Sequence, residues 1–134
     1  MANTVDILIA VDALGAASSG NLSDNVYMID TNKHVGSGNE GKNELYTSCV
    51  DGQILKWRVV GISPSSDVSI HSFTGQMIKD GICNPRKQDA IPSDIYWEGM
   101  VESRGTTGNI QYSIVISIDG RQMSFDPFLK ITNA

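Results

Sequence analysis

The chain has 134 residues, with 15 acidic against 10 basic side chains and a formal charge of −5. That length fits one domain, residues 1–134, with enough chain to bury a core. The acidic balance excludes nucleic acid as a partner, because phosphate binding needs a basic patch and Arg86-Lys87 is the only adjacent basic pair.

Residues 4–12, TVDILIAVD, alternate: Val5, Ile7, Ile9 and Val11 share one face, while Leu8 and Ala10 sit on a second, partly covered face. This is a strand. Residues 13–25 are rich in Ala, Gly, Ser and Asn; ALGAA at 13–17 leaves room for one helical turn, but Gly15 and Gly20 argue for a loop there. A second strand covers 25–30, and 31–43 is a polar, Gly-rich surface loop. Strands at 44–50 and 53–62 flank Asp51-Gly52, which predicts a hairpin. Residues 63–67 form a loop and 68–73 a fifth strand. The run 74–94 is irregular, broken by Gly75, Gly81, Pro85 and Pro92, with a short strand at Met77-Ile78. Such a run is usually a functional or covering loop. Residues 95–101 form a strand in which Gly99 suggests a bulge, and 104–108 turn.

The strongest local signal is a hairpin over 111–125. Asp119-Gly120 suits a two-residue type I′ turn, whose central positions both need φ > 0. That turn pairs Ile118 with Arg121, Ile116 with Met123 and Ile114 with Phe125, and separates an apolar face from a polar one. Ile110 and Tyr112 extend the apolar face, Pro127 must break or edge the pairing, and 128–131 resume a strand. Eight or nine short strands without a ten-residue helical segment predict an all-β fold. The expected architecture is a β-sandwich of two mainly antiparallel sheets, with jelly-roll-like and immunoglobulin-like topologies both open.

No run approaches 18 apolar residues, so no membrane span is expected. The N-terminal MANTVD lacks the basic and apolar regions of a secretory signal, so the expected location is cytoplasmic. There Cys49 and Cys83, which are 34 apart and free to bridge on spacing alone, are expected as buried thiols.

Motifs for chemistry are sparse. Residues 36–41 read GSGNEG and match GxGxxG, but a strand rather than a helix follows, so this is a loop and not a dinucleotide site. His34 and His71 stand in no metal-ligand spacing, and there is no GxSxG elbow. No catalytic residue, metal or cofactor is assigned. Trp57 shares a face with Leu55 and Val59 and reads as core; Arg58, on the mixed opposite face, reads as an ion-pair partner of Asp6 or Asp12, or as an anion ligand. Tyr96 and Trp97 point to opposite faces, so only one can face inward; core packing is the favoured reading, and an aromatic platform for a sugar or planar ligand is the alternative. The candidate ligand-binding residues are therefore Tyr96, Trp97 and Arg58. Asp126, before Pro127, reads as a turn organiser.

Several of these segments, in order along nearly the whole chain, resemble the bacterial PixA/AidA inclusion-body protein family: TVDILIAVD at 4–12, YMI at 27–29, DGQILKWR at 51–58, WEG at 97–99, Tyr112, and FDPF at 125–128. The chain looks shorter than many members, chiefly in its loops. The resemblance implies quorum-sensing-regulated or stationary-phase expression, host association and, in some members, cytoplasmic inclusions. It carries over no catalytic set. Three functions follow. The first is a non-catalytic homo-oligomer that self-associates or binds a host partner through a strand edge or loop. The second is a lectin-like small-molecule binder using loops 31–43 and 74–94. The third is an enzyme whose cleft unites Asp6, Asp12 and His34 or His71.

Overall fold

The computed structural model describes residues 4–32, 38, 45–63 and 66–132. Strand β1 (Thr4–Val11) follows its alternation, with Val5, Ile7, Ile9 and Val11 all buried. It lies second in a five-stranded sheet with β2 (Val26–Asp30), β4 (Ile54–Gly61), β7 (Tyr96–Met100) and β6 (Arg86–Gln88), in the order β2-β1-β4-β7-β6. β1 and β4 run parallel, in register from Thr4 beside Ile54 to Val11 beside Gly61. Val5, Ile7 and Ile9 thus flank Leu55, Trp57 and Val59, making one apolar face from two strands remote in sequence.

The C-terminal hairpin forms as its pattern requires. β9 (Ser113–Ile118) and β10 (Arg121–Phe125) pair Ile118 with Arg121, Ile116 with Met123 and Ile114 with Phe125. Asp119 (φ 48°) and Gly120 (φ 88°) both adopt the left-handed conformation of the turn. β5 (Val68–Thr74) covers the other edge of β9, completing a three-stranded sheet. Both arms then change sheet: β8 (Gly108–Gln111) precedes β9, β11 (Phe128–Thr132) follows β10, and in a third sheet β11 pairs with β8 on one side and with β3 (Tyr46–Val50) on the other. The crossing lies at Tyr112, whose amide donates to the Pro127 carbonyl at 3.1 Å. Pro127, without an amide hydrogen, sits where the ladder must stop.

Several expectations are corrected. Among the described residues there are eleven strands, not eight or nine, and they divide into three sheets rather than two. Pairing is mainly antiparallel, but β1–β4 and β3–β11 are parallel. Asp51-Gly52 does turn, with the Gln53 amide 3.2 Å from the Val50 carbonyl, yet it joins no hairpin: β3 and β4 enter different sheets. The turn instead pairs with Val101, which accepts from the Gly52 amide and donates to the Gln53 carbonyl, each at 2.8 Å. Residues 13–19 are helix α1 (Ala13–Ser19), capped by the Asp12 carboxylate at the Gly15 amide and closed by left-handed Gly20. Met77 and Ile78 lie in the short helix α2 (Gln76–Lys79), not a strand. Gly99 makes no bulge, since β4 and β7 pair regularly from Ile54–Met100 to Trp57–Trp97. The bulge is in β5, where His71 is the extra residue between Ile70 and Ser72.

The core is a single cluster reached by all three sheets. Trp57 is fully buried at its centre, 4.8 Å from Phe73 and 6.0 Å from Tyr112 between ring centroids. Burying side chains of this size contributes about 1.5–3 kcal/mol each. Outward from Phe73, Trp97 follows at 5.4 Å, so an aromatic chain leads from the core to the surface.

Candidate functional site

Alternation along β4 sends Trp57 inward and Arg58 outward. The Arg58 guanidinium forks onto Asp94, Nε to Oδ1 at 2.9 Å and Nη2 to Oδ2 at 3.2 Å, and its Nη1 reaches Asp6 at 3.5 Å. It lies over the Tyr96 ring at 4.7 Å, with Lys56 at 5.1 Å from the same ring. Hydrogen bonding between them raises the pKa of Arg58 and holds the Asp94 carboxyl below its ordinary range. Both side chains are more than a third exposed, so the fork positions groups more than it stabilises the fold. The expected partner Asp6 is present, but Asp12 caps α1 instead, and the principal partner, Asp94, comes from the irregular run.

Arg58, Asp94 and Trp97 meet at the wall of a cavity of about 360 Å³ between β4, β5 and residues 92–95, where Asp67, Ser69 and Lys87 also contribute. Trp97 arrives from the inner face of β7, opposite Lys87 on β6. Two of the three candidate ligand residues therefore share one cavity. The third, Tyr96, braces Arg58 without lining it. Asp94 and Lys87 carried no local sequence signal; the only pointer was that an outward Arg58 needs a carboxylate.

Among the described residues, Asp6, Asp12 and His71 of the expected enzymatic cleft are not brought together. His71 is exposed on the β5 bulge, its Nδ1 3.0 Å from the Ser72 hydroxyl, while Asp6 and Asp12 serve Arg58 and α1. His34 lies outside the described residues, as does the GxGxxG run apart from Gly38, whose backbone pairs with Tyr46. No group of three His, Cys, Asp or Glu suited to a metal occurs among the described residues. Cys49 and Cys83 are buried free thiols, each pushed up to about 12, chiefly by burial, which makes them poor nucleophiles. Asp126 accepts from the Ser113 hydroxyl at 2.6 Å across the hairpin, a structural role. No helix among the described residues is long and apolar enough to cross a membrane.

The outer face of the five-stranded sheet is the other notable surface. Register places Ile29 beside Leu8, and Tyr27 beside Ala10 and then Val60. Ile62 follows Val60 past the strand end. Leu8 (38%), Tyr27 (46%), Val60 (47%), Ile29 (50%) and Ile62 (58%) are all substantially exposed. Arg58, beside Leu8, begins the polar rim of this patch.

No curated protein matches the chain. The crystal structure of the inclusion body protein PixA from Burkholderia cenocepacia J2315 matches with a TM-score of 0.71, over 100% of this chain and 97% of that one, at 14% sequence identity. The fold is therefore that of the PixA inclusion body protein, in agreement with the resemblance read from the sequence. Residues 3–124 match the domain of unknown function DUF8788, so this chain belongs to the DUF8788 family.

Proposed function

We propose that the protein acts without catalysis, by self-association through the outer face and free edge of its five-stranded sheet. The observation that carries this is the contiguous exposed row Tyr27, Ile29, Leu8, Val60 and Ile62. Apolar patches rimmed by polar residues mark interaction sites. The row runs up to β2, an edge strand hydrogen-bonded to β1 on one side only among the described residues. An unpaired edge is a template for a further strand. Two copies of β2 meeting antiparallel about Met28 set Tyr27 of one copy opposite Ile29 of the other, an aromatic–aliphatic pair of the kind that stabilises sheets. Such an interface is self-complementary, as a two-fold dimer requires, and doubles the apolar face for further stacking. That PixA is described as an inclusion body protein agrees with assembly as the shared theme.

Sedimentation velocity over a concentration series tests the reading. The native chain is expected to shift from monomer to dimer and larger species below about 100 µM, as a micromolar Kd requires. Ile29→Lys with Tyr27→Lys is expected to hold it monomeric with the same circular dichroism, since both side chains are solvent-facing. A native chain that stays monomeric throughout, or a double variant that assembles equally well, refutes it.

A further inference from the structure

We propose that the cavity between β4, β5 and residues 92–95 is a binding site for a neutral, hydroxyl-rich ring, a monosaccharide unit. Size is the first ground. About 360 Å³ lies at the lower end of ligand-pocket volumes, enough for one pyranose.

Charge is the second. The wall holds two cations, Arg58 and Lys87, and two carboxylates, Asp67 and Asp94, so its formal charge sums to zero. An anion that reaches Arg58 also meets Asp94, already forked onto that guanidinium by two hydrogen bonds. Arg58 is thus already compensated, and the wall as a whole carries no net charge to favour an ionic ligand. It offers many hydrogen-bonding groups in fixed places. A carboxylate has about four acceptor directions. Arg58 takes two of Asp94's and leaves the others for ligand hydroxyls. The Ser69 and Ser93 hydroxyls supply groups that both donate and accept.

Rigidity is the third. Arg58 is held by Asp94, by Asp6 and by the Tyr96 ring, and Trp97 is packed on Phe73. The apolar wall of Trp97, Val59, Val68 and Ile70 suits the C–H face of a sugar ring, while the polar groups suit its hydroxyls. A site of this kind, polar groups preset around an indole, needs little ordering on binding.

The test is a titration of ¹⁵N-labelled native protein with methyl α-D-mannoside, methyl β-D-galactoside and N-acetyl-D-glucosamine, with sodium sulfate and glycine as the ionic controls. Each is taken to about 50 mM, where a 1 mM Kd is more than nine-tenths saturated. Trp97 and the fully buried Trp57 give separate indole signals, assigned with Trp97→Phe. The expected result is saturable movement of the Trp97 indole and the Ser69 and Asp94 amides by at least one neutral sugar. Asp94→Asn should weaken that sugar about tenfold or more, and Ser93→Trp, an exposed change that plugs the cavity, should abolish the movement while leaving the rest of the spectrum in place. The proposal is overturned if no neutral sugar moves these signals, if only the ionic probes do, or if the movement survives Ser93→Trp. Arg58 lines the cavity and also borders the apolar row, so the titration is repeated on the chain carrying Tyr27→Lys and Ile29→Lys, residues that take no part in the cavity, to separate its outcome from that of self-association.

Discussion

The indole Nε1–H of Trp57 donates to the hydroxyl of Tyr112 at 3.2 Å, and both side chains are completely buried. The bond ties the middle of the five-stranded sheet to the point where the C-terminal hairpin changes sheet. Tyr112→Phe keeps the ring but leaves a buried donor unpaired, which costs about 1–3 kcal/mol. Urea unfolding should show the loss as a lower midpoint with an unchanged slope. In a double-mutant cycle, Trp57→Phe should cost less in the Tyr112→Phe background than in the native one. Additive costs would mean that the hydrogen bond contributes nothing.

Gly99 is regular strand rather than bulge, and its reason lies in packing. A Cβ at this position would stand 2.6 Å from the Cys83 sulfur and 3.2 Å from the Pro85 nitrogen. Gly99→Ala is expected to destabilise by about 1–3 kcal/mol, the range for overpacking. Cys83→Ala in the same chain should recover part of it, because the sulfur clash goes while the backbone contact stays. Thermal melts of the single and double variants check this, and full recovery would show that Pro85 imposes no constraint.

Elements set by neighbouring residues were readable in the sequence, and elements set by distant ones were not. The hairpin register follows from Asp119-Gly120 and the period-two faces on either side, so every pair from Ile118–Arg121 to Ile114–Phe125 was legible. The alternation of β1 was legible too, but its parallel alignment with β4 was not, because a pattern of faces does not name its partner strand. Asp51-Gly52 looked like a hairpin because a turn sequence carries no information on whether its strands stay together. Gly15 looked like a helix breaker. Its lack of a side chain instead makes room for Asn25 and for the Asp12 carboxylate that caps α1. Arg58 and Trp97 were legible as candidates from residue type and position, whereas Asp94 entered the site only through tertiary folding.

Asp119 does more than turn the chain. Its carboxylate accepts from the Asp67 amide at 2.9 Å, and its own amide donates to the Asp67 carbonyl at 2.9 Å, fastening the hairpin tip to the approach to β5. Asp119→Asn keeps an acceptor oxygen and tolerates φ of 48°, so stability should stay within about 0.5 kcal/mol of native. Asp119→Ala loses the acceptor and strains the turn, for a cost of about 1–2 kcal/mol. Hydrogen exchange at the Asp67 amide should accelerate in the Ala variant alone. Equal exchange in both variants would refute the role of the carboxylate.

The buried thiols make an alkaline prediction whose sign is fixed. Burial is the first cause raising Cys49 and Cys83 from 9.0 to about 12, with Asp30 adding to the first, and Cys49 and Glu102 to the second. The unfolded chain therefore loses these protons near pH 9, while the folded chain keeps them to about 12. Between those limits the unfolded state binds fewer protons, so stability falls as pH rises. The thiols' contribution is fully present below pH 9 and is lost as pH approaches about 12. Each thiol adds a slope of up to about 1.4 kcal/mol per pH unit. Tyr112, likewise raised by burial, steepens the fall further above its ordinary value of 10.0. Urea unfolding at intervals from about pH 8 to 10.5 should give a declining profile for the native chain. The profile should be shallower for Cys49→Ala or Cys83→Ala and shallowest for the double variant, whatever each loses at neutral pH. Parallel profiles for the native chain and the double variant would show that neither thiol titrates differently on folding.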